Sequence, residues 1–211
     1  MIVNCPSWID KNLLTYKQVE DVPDFVFANI NTLLHAWLAG PPLVSVVIPA
    51  YNEELNVIRA IATLAKNAPT FSFEIVVVNN NSNDKTQWVL DRLHVRSVFQ
   101  SRPGCGPARQ LGQEVALGKY ILMADADCFY PPAWMESMTK AVSQEGVSCV
   151  YGGYSFLAES YYRSFGLWMY ERMRNILVWI RHFKRPYLNA LGMSMAYVRS
   201  LGLQVGFTQN N

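Results

Sequence analysis

The chain is poor in the residues that build metal clusters and disulfide frameworks. Its cysteines, Cys5, Cys105, Cys128 and Cys149, lie far apart with no CxxC pair, and its histidines, His35, His94 and His182, fit no zinc spacing. A disulfide scaffold and a zinc ribbon are excluded, and free thiols in a reducing compartment remain. Charge is also scarce: 16% of residues are Asp, Glu, Lys or Arg, and the net charge is +2. No basic run of about five or six residues occurs, so composition gives no footprint for nucleic acid. Long apolar runs are missing too, and none approaches the roughly 20 residues of a spanning helix. The opening "MIVNCPSWIDKNLL" lacks the basic start and apolar core of a signal peptide. Internal repeats and low-complexity segments are absent. What is present is 211 residues, 51% of them hydrophobic, enough for one domain with a substantial core.

Residues 1–42 read as an N-terminal helical extension lying across the outside of the main domain. Within it, "DFVFANINTLLHAWLAG" spaces Phe25, Ile30, Leu33, Leu34, Trp37 and Leu38 at helical intervals, with Gly40, Pro41 and Pro42 as the stop. From Leu43 onward, strand and helix patterns alternate. "LVSVVIP", "FEIVVVN", "VRSVFQS" and "KYILMADA" read as strands, separated by the helices "NEELNVIRAIATLAKNA", "NDKTQWVLDRL" and "GPARQLGQEVALG". A helix "AWMESMTKAVSQEG", a strand "VSCVYGGYSF" and one long or two short helices in "SYYRSFGLWMYERMRNILVWIRHFKRP" follow. Continuously apolar strands separated by helices predict the α/β class, with a mostly parallel central sheet covered on both faces. Such sheets bind ligands at the carboxyl ends of their strands, near a topological switch point. The chain closes in "LGLQVGFTQNN" without a capping helix or a charged tail, so 43–211 is expected to be a domain truncated at its C-terminus.

The predicted ligand edge carries polar residues at three strand ends: Pro49–Glu53, Asn79–Ser82, and Asp125 with Asp127. Two carboxylates a few ångströms apart repel by roughly 4 kcal/mol at an effective dielectric near 20. A hard divalent cation, Mg²⁺ or Mn²⁺, neutralises such a pair and commonly takes one or two carboxylates plus substrate phosphates. A solvated loop with two surface acids is the bland alternative. In "PAYNEE", the Tyr51 ring and the loop backbone suit a flat base, while Asn52 as helix cap and Glu53 and Glu54 as first-turn acids suit the helix start; the two readings are compatible. The run Asn79–Asn81 is a good turn former and its amides can also read a base edge. In "SRPGCGPARQLG" the glycines match neither a dinucleotide fingerprint nor a phosphate-binding loop. Arg109 in that segment either meets a ligand phosphate or base, or braces an acid.

Taken in order, "VSVVIPAYNEE", "EIVVVNNNSNDKT" and "GPARQLGQEVALGKYILMADADC" resemble the inverting glycosyltransferases of family 2, strongly over about residues 43–131 and more weakly through "GGYSF" and "NALGMSMAYVRS". The resemblance implies a GT-A-type, Rossmann-like α/β/α sandwich. It implies a nucleotide-diphosphate-sugar donor, a Mg²⁺ or Mn²⁺ ion, and displacement with inversion on a carbohydrate or lipid-linked acceptor. Carried over, Pro49, Ala50, Tyr51 and Glu53 line the nucleoside pocket and Asn80 faces the base. Asp125 sits near ribose or metal with Ala126 beside it, Asp127 holds the metal, and Met193–Ala196 border the donor sugar or acceptor. Asn79–Asn80 stand where the family commonly has two aspartates, so the nucleotide stays open. The family's general base is an acid, here expected beyond Asn211, and nothing places Glu159 or Glu171 at the acceptor. A sugar-1-phosphate nucleotidyltransferase would need a basic glycine-rich loop after the first strand, where this chain has "PAYNEE". A non-catalytic nucleotide-sugar binder is the remaining alternative.

Residues 160–186 mix aromatic and apolar side chains, among them Tyr161, Tyr162, Trp168 and Trp179, with Arg163, Arg172, Arg174, Arg181, Lys184 and Arg185. A core-covering helix with snorkelling cations fits this pattern, and so do a lid, a dimer face and a membrane-interface helix. The last would put a cytoplasmic protein in peripheral contact with the inner face of a membrane.

Overall fold

The computed structural model describes residues 5–35, 40–157 and 164–208. Short 3-10 turns at Lys11–Leu14 and Val19–Asp21 lead into α1 (Asp24–His35). Trp37 and Leu38, expected to extend this helix, lie outside the described residues, as do Glu159, Tyr161, Tyr162 and Arg163. Then come β1 (Val44–Ala50), α2 (Asn56–Ala65), β2 (Phe73–Asn79), α3 (Thr86–Arg92), β3 (Arg96–Phe99), α4 (Cys105–Val115) and β4 (Tyr120–Ala124). The chain continues through α5 (Trp134–Val142), β5 (Cys149–Tyr151), α6 (Ser164–Lys184), a 3-10 turn at Pro186–Asn189, β6 (Ser194–Val198) and α7 (Arg199–Val205).

The strands form one sheet in the order β3-β2-β1-β4-β6-β5. The first four are mutually parallel, and β6 runs antiparallel to both neighbours. Successive side chains of a strand point to opposite faces, and both faces are covered, which explains why β1, β2 and β4 are apolar at nearly every position. Val44, Val46, Ile48, Ile75, Val77, Tyr120, Leu122 and Ala124 join the larger core with α1, α2, α3 and α5. Val47, Val76, Ile121 and Met123 form a second core on the opposite face. There α4 approaches so closely that a Cβ on Gly112 would stand 2.3 Å from Val47 Cγ1. The result is a three-layer α/β/α sandwich on a mostly parallel sheet.

The N-terminal segment shares the larger core: Leu13, Val19, Val22, Val26, Phe27, Ile30 and Leu34 are buried in it. Arg59 of α2 ties it down, its Nε donating to the Leu13 carbonyl at 3.0 Å and its Nη2 to the Tyr16 carbonyl at 2.9 Å.

Two local expectations are corrected. Helix α2 begins at Asn56, so Asn52 is not its cap and Glu53 and Glu54 precede its first turn. Asn52 takes a left-handed φ of 56°, and its Oδ1 accepts from the Asn83 N–H at 2.9 Å instead. The segment "SMAYV", not expected as a strand, is β6. It fills the sheet between β4 and β5, in a register pairing Ala124 with Ser194 and Tyr120 with Val198.

Candidate active site

Strands β2 and β3 build the sheet away from β1 on one side, and β4 lies on the other, so the switch point falls between β1 and β4. The loops after these two strands, with the loop after β2, rim the crevice. Loops 51–55 and 80–86 are laced together. The Asn52 N–H donates to Ser82 Oγ at 3.0 Å, the Glu53 N–H to Thr86 Oγ1 at 2.9 Å and the Glu54 N–H to Asp84 Oδ2 at 3.2 Å. In return the Lys85 N–H donates to Glu54 Oε2 at 3.0 Å. Asp84 also accepts from the Thr86 N–H and hydroxyl, so α3 is started by the same carboxylate that holds the other loop. This lacing leaves Tyr51 at the rim, 58% exposed, with its ring open to a ligand.

Asparagines 79 and 80 act as structural pins. Asn79 Oδ1 accepts from the Ser82 N–H at 3.0 Å, and its amide donates to Gln87 Oε1 at 2.8 Å. Asn80 is 5% exposed; its amide donates to the carbonyls of Gln100 and Arg102, and its Oδ1 accepts from the Gly104 N–H at 2.8 Å. The Asn80 side chain therefore holds the β3–α4 loop and does not present its amide at an open rim. Ala50 and Ala126, expected at the donor, are buried with their methyls in the larger core; Pro49 is partly exposed.

The acidic turn after β4 is held from beneath by Tyr130, which is 3% exposed. Its hydroxyl accepts from the Asp125 N–H at 2.7 Å and lies within donating distance of the Asp125 and Met193 carbonyls, at 3.2 and 3.1 Å. Its own N–H donates to Thr63 Oγ1 at 3.0 Å, tying the turn to α2. Burial, first of all, pushes the Tyr130 hydroxyl well above its ordinary value, so it stays protonated. With Ala126 anchored inward, Asp125 is partly exposed and Asp127 exposed. Asp127 accepts only a weak bond from the Cys128 thiol at 3.5 Å.

Arg109, one turn into α4, braces an acid: its Nη2 donates to Asp125 Oδ1 at 3.0 Å. Its Nε is buried without a partner. The guanidinium also lies flat against Gly192, where a Cβ would meet Nη2 at 2.0 Å. Gly192 thus lets the segment before β6 close over the Arg109–Asp125 pair.

The carboxylates share one electrostatic neighbourhood. The Glu53 carboxyl titrates above its ordinary value of 4.5: burial raises it most, the Asn56 amide works against this, and the charges of Asp127, Asp84 and Asp125 add to the rise. A carboxyl raised in the folded state stabilises the fold fully only below its unfolded value, and loses that contribution as pH rises through the folded value. Glu53→Gln, which keeps an oxygen for Asn56, is therefore expected to leave stability unchanged well below pH 4.5 and to raise it at pH 7 to 8. Urea unfolding of both proteins at acid and neutral pH measures this; equal midpoints at neutral pH would contradict it.

Among the described residues no cluster of three or more His, Cys, Asp or Glu side chains is placed to hold a metal ion by itself. Asp125 and Asp127 are hard oxygen donors with one carboxylate exposed, a donor set that fits an ion whose shell is completed by phosphates and water. Sequence reasoning missed Tyr130, Asp84, Thr86 and Gly192. The signals were a Tyr five residues after the first acid, the turn-forming "NSNDKT", and a glycine opening "GMSMAYVR".

A family model described as "Glycosyl transferase family 2" matches residues 45–192. The Haloferax volcanii protein "Glycosyltransferase AglE" is 31% identical over 123 residues, covering 54% of this chain. The chain spans 40% of that relative's length, and 15% of another curated relative's. Among solved structures, the mannosyltransferase PcManGT of Pyrobaculum calidifontis, in complex with GDP-Man and Mn²⁺, superposes with a TM-score of 0.58 at 19% identity. That match covers 89% of this chain and 56% of that one. TarS of S. aureus in complex with UDP-GlcNAc superposes with a TM-score of 0.55 at 20% identity, over 77% of this chain and 47% of that one.

Proposed function

The chain belongs to glycosyl transferase family 2, and we propose that it moves a sugar from a nucleotide-diphosphate donor to an acceptor hydroxyl with inversion at the anomeric carbon. The observation that carries this reading is the acidic turn at the switch point of a GT-A-type sheet. There Asp125 is braced by Arg109, Asp127 is exposed, and the laced β1 and β2 loops stand opposite. In the transfer the acceptor oxygen bonds to the anomeric carbon, the bond to the leaving diphosphate breaks with its electron pair, and the acceptor proton passes to a base. None of the described residues is assigned as that base.

Tyr51 supplies an open aromatic face for the nucleoside, and Glu53 sets the polarity beside it. Asn80 contributes by holding the β3–α4 loop. Tyr130 and Arg109 fix the orientation of Asp125, so this part of the site is set before a ligand arrives, as electrostatic stabilisation of a transition state requires. Asp125 and Asp127 would hold Mg²⁺ or Mn²⁺, which supplies positive charge against the departing diphosphate. The acceptor in this reading is a carbohydrate or a lipid-linked molecule.

A thermal-shift panel of UDP-, GDP-, CMP- and dTDP-sugars, each with and without Mn²⁺, tests donor and metal together. One nucleotide class is expected to raise the melting temperature only when Mn²⁺ is present. At about a hundred times the dissociation constant, binding stabilises by about 2.7 kcal/mol, or roughly 5 to 10 °C for a domain of this size. No shift with any donor would refute the proposal.

A further inference from the structure

Helix α6 is anchored to the protein by two charged side chains, Glu171 and Arg174, and leaves most of its large apolar side chains outside. Its half-buried positions, Leu167, Glu171, Arg174 and Val178, recur along one face. Glu171 accepts from Ser155 Oγ at 2.7 Å and from the Phe156 N–H at 2.8 Å. Arg174 donates to the Tyr154 carbonyl at 2.6 Å and lies over that ring at 3.9 Å. The opposite side carries Trp168, Met169, Met173, Ile176, Trp179 and Ile180, each between 46% and 64% exposed. A helix that only covered the core would point these side chains inward.

The charge on the helix is one-sided. Glu171 is the sole acid between residues 164 and 188, and it is turned inward. Arg172, Arg181, Lys184 and Arg185 are exposed and, among the described residues, join no ion pair. The free surface of α6 is therefore apolar, tryptophan-bearing and flanked only by cations. Two copies meeting through it would bring like charges together, whereas an anionic surface with an apolar interior complements both features. No helix among the described residues is long and apolar enough to cross a membrane. At about 1.5 Å per residue, α6 is roughly 32 Å of helix suited to lying in the interface plane.

We propose that α6 docks on an anionic lipid bilayer, its outward stripe in the interface and its cations at the headgroups. The end of α6 leads through the turn Pro186–Asn189 directly to Gly192 and the Arg109–Asp125 pair. Docking would hold that side of the crevice near the headgroups, where a lipid-linked acceptor resides. This last consequence rests on the glycosyl-transfer reading; the docking itself does not.

Flotation of the chain with phosphatidylcholine vesicles, with and without phosphatidylserine, tests the proposal without nucleotide or metal, so its outcome is independent of the transferase assay. Binding is expected to phosphatidylserine vesicles at low salt, and to fall at least about tenfold at high salt or without the anionic lipid. W168E/W179E is expected to abolish it. Exchanging Arg172, Arg181, Lys184 and Arg185 for Gln should weaken it on the order of 1,000-fold. The exchanged side chains are exposed, and unchanged circular dichroism confirms that the variants fold. No flotation at low salt, or flotation unaffected by W168E/W179E, would overturn the proposal. So would a dimer in sedimentation that W168E/W179E dissociates while the parent protein ignores vesicles.

Discussion

Asp127→Ala is expected to abolish the Mn²⁺-dependent part of donor affinity and to leave the fold intact. Its side chain is exposed and accepts only the weak thiol bond from Cys128, so its loss should move stability by no more than about 0.5 kcal/mol. The binding effect should be large. Removing even a group that merely supports a metal ligand costs roughly 10- to 100-fold, and removing a ligand should cost at least about 100-fold, or 2.7 kcal/mol. Titration calorimetry with the donor selected by thermal shift, with and without Mn²⁺, gives the ratio directly. A ratio unchanged in the variant would refute the metal assignment. Asp125→Ala would be less informative, because it also strands the Arg109 guanidinium, whose Nε already lacks a partner.

Tyr130→Phe is expected to lower stability by about 1 to 3 kcal/mol and to weaken donor binding as well. The cost arises because the phenyl ring still fills the site while the Asp125 N–H and the Met193 carbonyl lose their common partner in a buried place. For a chain of this length that is a fall of roughly 2 to 12 °C in melting temperature. Donor binding should suffer because the hydroxyl joins the acidic turn to the segment before β6. Purely structural damage would lower stability alone. A Tyr130→Phe protein of full stability would show that the hydroxyl pins nothing.

How much of this was legible in the sequence depended on the range of the interactions involved. Strand β2 is found at Phe73–Asn79, the limits that its apolar run indicated, because burial on both faces demands apolar residues at successive positions from Ile75 to Val78. The start of α2 was misplaced for the opposite reason. "NEEL" looks like a helix start locally, but its groups are committed to Ser82, Asp84 and Thr86 about thirty residues away. Arg109 was read as meeting a ligand or bracing an acid; its bond to Asp125 became visible only once α4 and the turn after β4 were brought together, and its packing against Gly192 spans 83 positions of chain. Helix α6 showed its amphipathic pattern plainly. Which side faced the protein was hidden, because the partners of Glu171 and Arg174 are supplied by the segment after β5.

Strand β6 has a consequence for how the protein is made. On a ribosome, β4 emerges some 70 residues before its outer neighbour, and until Ser194–Val198 follow, its free edge has no antiparallel partner. A nascent chain at that stage displays an unprotected row of amides and carbonyls beside a half-assembled apolar sheet, the state most prone to misassociation. The Tyr130 hydroxyl also waits for the Met193 carbonyl until then. The acidic turn is therefore completed only after about 70 further residues have been made, when the segment before β6 arrives to close over it.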